Sequence, residues 1–352
     1  MLVGTAITAC TGMLAACGKH APEAALADYV QRLERTLDQA SPEIKVPEPP
    51  RLPPRSDLKL TLESSSLGTL DFLSLTGCAV QVTIGKRNSS LGIMASASQR
   101  LLLELEFLQL APECITYQRT QGKEALANLL QSAHRLKQEQ LPELIFNATL
   151  ASPEYRALWR PPEELGGYPA NTSSEPLNAL AAINASVRRW LSGDYSADNM
   201  AFEIQLSEVA QADGGALLKA LALQAGWLHG ADALLDMRGE KGPLCQGLLR
   251  PAAVDTLGNV IRKYFVGEVQ PWSAGLGRRQ HELLPLLTEL EQQLTAALPP
   301  TYQSWQAERD AQLLAWADAP RRHVQALQDT LEPCGGLAGR AASAENANNP
   351  AK

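Results

Sequence analysis

The chain has 352 residues, of which 45% are hydrophobic and 20% are charged, and its formal net charge is −7. A chain of this length and apolar content can form one large domain or two of ordinary size. The negative charge, and the lack of a basic patch interleaved with aromatic residues, argue against nucleic acid as a partner.

The first 16 residues carry no charged side chain and lead into Leu-Ala-Ala-Cys at 14–17. This segment is shorter than the roughly 20 apolar residues of a membrane-spanning helix, and small residues before a cysteine are typical of a lipoprotein cleavage site. We therefore expect residues 1–16 to be a signal peptide and Cys17 to carry acyl chains such as palmitate. Such an anchor would hold the protein on the envelope membrane, facing the periplasm, and Gly18 favours the outer membrane. A short buried helix or a frayed terminus is the alternative.

Four of the six cysteines remain available for disulfides if Cys10 is removed with the signal peptide and Cys17 is acylated. They are Cys78, Cys114, Cys245 and Cys334. An even number of cysteines in an oxidising compartment indicates disulfides, and of the three connectivities we expect the local pairs 78–114 and 245–334. Four free buried thiols are the alternative. The absence of a C-x-x-C pair argues against a zinc site or thioredoxin chemistry.

The first mature segment alternates between helical and extended patterns. Apolar residues at helical spacing predict an amphipathic helix over 22–40. Six prolines over 41–56 predict an extended connection, because proline lacks an amide proton and restricts the residue before it. Leu58, Leu60 and Leu62 then alternate with polar residues, which predicts one short strand.

Residues 68–114 contain two apolar segments that flank a polar link at 87–92. This pattern predicts a helical hairpin. The second helix is expected to begin near Ser96 or Ser98, because either hydroxyl can cap exposed amide groups, and to end at Pro112.

Helical periodicity continues downstream, with proline and glycine between the periodic segments. The predicted helices span 122–139, 175–191, 198–237, 251–266, 276–298 and 301–331, the last with a break near Pro320. The longest loop is expected before Glu175, and a disordered tail over 335–352. We therefore expect residues 17–334 to form a single all-α, multi-helix bundle-like domain with short extended segments and two disulfides.

Several short motifs stand out from this background. They are Arg-Asn-Ser-Ser-Leu-Gly at 87–92, Ser-Gln-Arg-Leu at 98–101, Cys114, Asn-Ala-Thr-Leu at 147–150 and Ser-Pro-Glu-Tyr-Arg at 152–156. Together they resemble the signature of an uncharacterised family of proteobacterial lipoproteins, a domain of unknown function, over residues 20–335. The resemblance implies an envelope lipoprotein with paired cysteines, but it implies no catalytic residue.

No familiar motif for an enzyme, a nucleotide or a cofactor is present, including the G-x-S-x-G elbow, the P-loop, H-E-x-x-H and the dinucleotide glycine fingerprint. We name no catalytic residue, no cofactor and no metal site. His229, Asp232 and Asp236 could share one helical face, but a metal site needs more ligands, and such neighbours are usually surface or capping groups. We expect His281 and His323 to be exposed near helix ends.

The best candidate for a ligand site is a polar cluster with one cation. Arg87, Asn88, Ser89 and Ser90, with Asn147 further along, could bind an anionic or sugar-like ligand. The alternative is structural, since Asn, Ser and Gly form turns by bonding to local backbone groups, and these residue types favour it.

These patterns favour a lipid-anchored binding or interaction protein over an enzyme, with another envelope protein as a candidate partner. The second hypothesis is an envelope hydrolase or transferase whose site lacks the familiar motifs. A cleft that gathers Arg87, Asn88, Asn147 and a carboxylate or histidine would favour the enzyme. A smooth helical face with an exposed apolar patch would favour the interaction protein.

Overall fold

A computed structural model describes residues 22–62, 75–245 and 251–336 of the chain. The residues in these ranges are mainly helical and none of them forms a β-strand, so the predicted all-α class is confirmed. None of the described helices is both long and apolar enough to cross a membrane. The predicted signal peptide and Cys17 lie outside the described residues, as does the predicted tail from residue 337 onward.

Fifteen α-helices occur in the described ranges. In chain order they are α1 (Pro22–Leu37), α2 (Arg55–Leu58), α3 (Val80–Asn88), α4 (Ser90–Ile93), α5 (Ala97–Thr120), α6 (Glu124–Glu139), α7 (Leu141–Ala148), α8 (Pro153–Leu158), α9 (Glu175–Leu191), α10 (Asn199–Val209), α11 (Gly214–Gly239), α12 (Ala252–Val260), α13 (Gln270–Gln293), α14 (Pro300–Ala317) and α15 (Ala319–Leu331). A π-helical segment, Ile261–Val269, joins α12 to α13.

The longest helix, α11, lies at the centre of the main core. Most of its residues are buried, and it packs against α1, α14 and α15. Two of its glycines allow the extended segment before α2 to cross it closely. A Cβ atom at Gly226 would lie 2.7 Å from the carbonyl oxygen of Lys45, and one at Gly230 would lie 2.1 Å from the side chain of Ile44. The proline-rich connection is therefore packed onto the core.

Side chains rather than a sheet hold the extended residues on both sides of α2. The amide of Asn147 both accepts from the backbone nitrogen of Leu60 and donates to its carbonyl oxygen, each at 2.9 Å. Arg156 donates to the carbonyl oxygens of Leu52 and Pro53. The predicted strand at 58–62 is therefore wrong, because an asparagine side chain forms the backbone pairing that a neighbouring strand would otherwise supply.

A smaller apolar cluster lies apart from the main core. It is formed by α3, the second half of α5 and α6, and the disulfide Cys78–Cys114 links its first residues to α5. A second disulfide, Cys245–Cys334, joins the loop after α11 to the turn after α15. Both predicted pairs are confirmed, and the alternative of four free thiols is wrong.

Several predicted helix boundaries differ from the structure, and three of the differences have a clear physical reason. Helix α5 continues past Pro112 to Thr120, because this proline is exposed and the helix loses only one backbone hydrogen bond there. The predicted helix 198–237 is divided into α10 and α11, with Asp213 at the junction bound to Arg279. The predicted gap at 267–275 is helical, because the π-helical turn leads directly into α13.

His323 is fully buried, so its predicted exposure is wrong. The Tyr29 hydroxyl lies 2.7 Å from one nitrogen of this imidazole, and the Asp232 carboxylate lies 2.6 Å from the other. These contacts join α1, α11 and α15 through one side chain. Asp232 therefore contacts His323 and links α11 to α15. His229, one turn away on α11, is exposed.

Candidate functional site

A cleft of about 710 Å³ lies between the extended segment around Lys59 and the helices α3 to α7. Six charged side chains line it. They are Arg55, Lys59, Arg87, Arg100, Lys137 and Glu104. Among the described residues the cleft thus holds five cations and a single carboxylate, although the whole chain carries a formal charge of −7. We call it the cationic cleft.

The link between α3 and α5 forms one wall of the cleft through tight local turns. The Ser89 hydroxyl accepts from the backbone nitrogen of Gly92 at 3.1 Å and donates to the carbonyl oxygen of Lys86 at 2.7 Å. Gly92 is required here, because a Cβ atom would lie 2.2 Å from that same carbonyl oxygen. Ser96 then begins α5 with a capping box completed by Gln99.

An ionic triad forms the floor of the cleft. Glu104 forms ion pairs with two cations: one carboxylate oxygen lies 3.2 Å from the Nε of Arg87, and the other contacts the ammonium of Lys137. Lys137 is only 5% exposed, and burial lowers the pKa of its ammonium, an effect that Glu104 opposes and Arg87 reinforces. Two cations share one carboxylate, so an anion that enters the cleft would find positive charge that Glu104 does not neutralise.

The remaining cations lie around the rim. Arg100 donates to the carbonyl oxygen of Ile93 at 2.6 Å, which fixes its guanidinium beside α4. Arg55 and Lys59 lie on the opposite wall, and within the described parts of the chain neither has a carboxylate oxygen within 4.0 Å. Lys59 and Arg55 are therefore available for a ligand.

The structure brings some of the predicted residues together and separates others. Arg87, Asn88 and Asn147 line the cleft. Ser89 and Ser90 do not line it. The Asn147 amide is occupied by the backbone of Leu60, and Ser89 by its own turn, so the structural interpretation holds for these two residues.

Lys137 and Glu104 were missed by the sequence analysis, although a signal for Lys137 is present. In α6 the buried residues Leu126, Leu130, Ala133 and Lys137 follow one another at helical spacing. A lysine in line with an apolar face must be paired or desolvated. The position of Lys137 on the apolar face of α6 therefore indicates a polar site, although no sequence motif marks it.

A second cavity, of about 730 Å³, lies on the other side of α4. Apolar side chains from α4, α5 and α10 line it, including Leu91, Leu103, Met200 and Ile204. Leu91 is 85% exposed and Met200 is 75% exposed, which is unusual for residues of this size. We call this cavity the apolar groove.

The fold and the cleft together define an all-α, disulfide-linked protein with a cationic cavity beside an apolar one. A family model described as a protein of unknown function (DUF3080) matches residues 26–337, and the chain belongs to this family. Comparison with curated proteins and with solved structures finds no match.

Proposed function

We propose that this protein is an envelope lipoprotein that binds an anionic ligand in the cationic cleft. The observation that carries the proposal is the local charge, since in the part of the chain that the structure describes five cations face one carboxylate, whereas the chain is acidic overall. Positive charge concentrated in a concave site attracts and retains anions more strongly than charge spread over a surface.

The chemistry of the cleft favours phosphate or carboxylate groups. Arg87 and Arg100 present guanidinium groups, which can bind two oxygens of one anion at once, and Lys137 adds a partly desolvated ammonium. Asn88 is exposed on the same wall and can donate to a sugar or acyl oxygen. The volume of the cleft suits a ligand of small-molecule size.

Replacing Arg87 with glutamine is expected to weaken the binding of inorganic phosphate about 10- to 100-fold, because one charge-assisted hydrogen bond contributes about 1.5–3 kcal/mol. Isothermal titration calorimetry at low and moderate salt would measure the effect. Arg321→Gln is the matched control, since this arginine lies on α15 with its side chain 90% exposed. Equal phosphate affinity in both variants would contradict a site at Arg87.

The proposed anchor has a separate test. Replacing Cys17 with alanine is expected to move the protein from the membrane fraction to the soluble fraction and to abolish labelling by a clickable fatty acid, because the acylated thiol is lost. Cell fractionation and in-gel fluorescence measure the two outcomes, with Cys78→Ala as a control that keeps Cys17. Membrane recovery that is unchanged would rule out lipidation at this residue.

An envelope hydrolase or transferase remains the second candidate, and one observation favours it. The cleft gathers Arg87, Asn88 and Asn147 with the carboxylate of Glu104, the combination expected of an enzyme. Binding has the stronger support, because Glu104 is engaged by two cations and Asn147 by the backbone of Leu60. Turnover of a phosphate, acyl or glycosyl ester that Glu104→Gln abolishes would favour the enzyme.

A further inference from the structure

The cationic cleft and the apolar groove adjoin each other. Gly92, Ala95 and Leu103 line both cavities, so these three residues form the partition between them. Two of the three have little or no side chain, and Gly92 could not carry one, as its Cβ atom would overlap the end of α3. The two cavities therefore meet at these three residues, so one ligand can reach both of them.

The groove has the character of a site for an aliphatic chain. Leu91 from α4 faces Met200 and Ile204 from α10, and these three side chains are 85%, 75% and 55% exposed. Among the described residues Lys86 and Glu203 are the charged ones that line it, and Lys86 is paired with Glu106 at 3.0 Å, so the groove has no excess positive charge. Exposed apolar groups in one concave patch are typical of a site that is covered by a ligand.

We propose that the ligand is an amphipathic anion, with its anionic head in the cationic cleft and a single aliphatic chain in the apolar groove. The inference rests on the proposed function, because the head occupies the cleft described above. Charge complementarity determines the orientation of the ligand, since of the two cavities the cationic cleft is the one with excess positive charge among its described residues. The head therefore contacts Arg87 and Arg100, and the chain passes over Gly92 and Ala95 towards Ile204.

Alkyl phosphates of different chain length test the proposal directly. Inorganic phosphate, hexyl phosphate and decyl phosphate would be titrated below their micelle concentrations, with decyl maltoside as a probe that has the same chain but no charge. Each buried methylene is expected to tighten binding by about fourfold, so decyl phosphate, which has four more methylenes, should bind about 100- to 300-fold more tightly than hexyl phosphate when all four are buried. Decyl maltoside should bind at least tenfold more weakly than decyl phosphate.

Variants of the apolar groove distinguish binding of the ligand's aliphatic chain from binding of its anionic head. The double variant Met200→Gln, Ile204→Gln is expected to remove most of the difference between hexyl and decyl phosphate and to leave the affinity for inorganic phosphate unchanged. Both positions are exposed, so the fold should tolerate the change. Leu314→Gln, an exposed apolar position on α14, is the matched control and should leave the dependence on chain length intact.

Each outcome has one meaning. If phosphate binds in an Arg87-dependent way but affinity does not rise with chain length, the amphipathic ligand is wrong and the anion site stands. If neither inorganic phosphate nor decyl phosphate binds, the proposed function itself fails. Binding to vesicles with anionic lipid but not to monomeric decyl phosphate would overturn the single-molecule site in favour of docking on a membrane surface. Decyl maltoside that binds as tightly as decyl phosphate would overturn the role of the cations.

Discussion

Replacing Arg309 with methionine is expected to lower the free energy of unfolding by about 3–5 kcal/mol, because it leaves a buried carboxylate without its cation. Arg309 and Glu291 are each 1% exposed and share two hydrogen bonds, of 2.7 and 2.9 Å. Glu291 also accepts from the hydroxyls of Tyr155 and Tyr302. Burial raises the pKa of Tyr302 well above its ordinary value, so this hydroxyl remains a donor.

The loss should come from the unpaired charge rather than from the missing volume. Methionine fills much of the space of the arginine stem between Trp159 and Trp305, whose ring centres lie 5.1 and 4.8 Å from the guanidinium carbon. The double variant Arg309→Met, Glu291→Leu removes both charges and should recover most of the stability, since buried ion pairs contribute little beyond their apolar replacements.

Urea denaturation of the disulfide-bonded protein, followed by tryptophan fluorescence and circular dichroism, measures these differences. Arg321→Met, at an exposed position on α15, should change the free energy of unfolding by less than about 0.5 kcal/mol. If Arg309→Met proves as mild as Arg321→Met, the buried network does not hold α13 and α14 together.

Local patterns of the sequence predict those helices that bury a single face. The apolar spacing in 175–191 gives the bounds of α9 correctly, and the spacing in 122–139 gives α6 to within two residues. In both helices the apolar residues form one stripe, and the period of that stripe depends only on neighbours along the chain. The disulfide pairs were also predictable, because the cysteines closest in sequence are the ones that pair.

Features that depend on distant partners were not predictable in this way. His323 lies in a charged stretch of sequence, and only the approach of Tyr29 and Asp232 from two other helices accounts for its burial. Glu104 and Lys137 come from different helices that pack together, so their pairing follows from the tertiary fold. The candidate site was therefore predicted at Arg87 and Asn88 but without its ionic floor.

Removing the Cys245–Cys334 disulfide is expected to lower the free energy of unfolding by about 4 kcal/mol. The link joins residues 89 apart, and in the chain-entropy model a longer closed loop restricts the unfolded chain more strongly. The variant Cys245→Ala, Cys334→Ala avoids an unpaired thiol, and urea denaturation measures the loss. Both cysteines lie far from the cationic cleft in sequence and line neither cavity, so phosphate binding should stay unchanged in the folded variant.

Removing the Cys78–Cys114 disulfide is expected to act locally instead. This link joins residues 36 apart and belongs to the smaller cluster, which has few apolar residues to hold it without the covalent bond. In Cys78→Ala, Cys114→Ala, hydrogen exchange should increase across 75–93 while α11 keeps its protection. Uniform loss of protection across the main core would contradict a separate cluster.

Removal of the 245–334 disulfide should therefore affect mainly the global stability, whereas removal of the 78–114 disulfide should affect mainly the binding of phosphate. The 245–334 link contributes more to global stability, whereas α3 and α4, next to the 78–114 link, position Arg87 and Asn88 in the cationic cleft. If α3 and α4 unfold locally, Arg87 and Asn88 are correctly placed in only a fraction of the molecules. The apparent affinity for phosphate is then reduced in proportion to that fraction. Weaker phosphate binding in Cys78→Ala, Cys114→Ala alone would tie the smaller cluster to the site. Equal weakening in both double variants would show that the cleft depends on the whole fold.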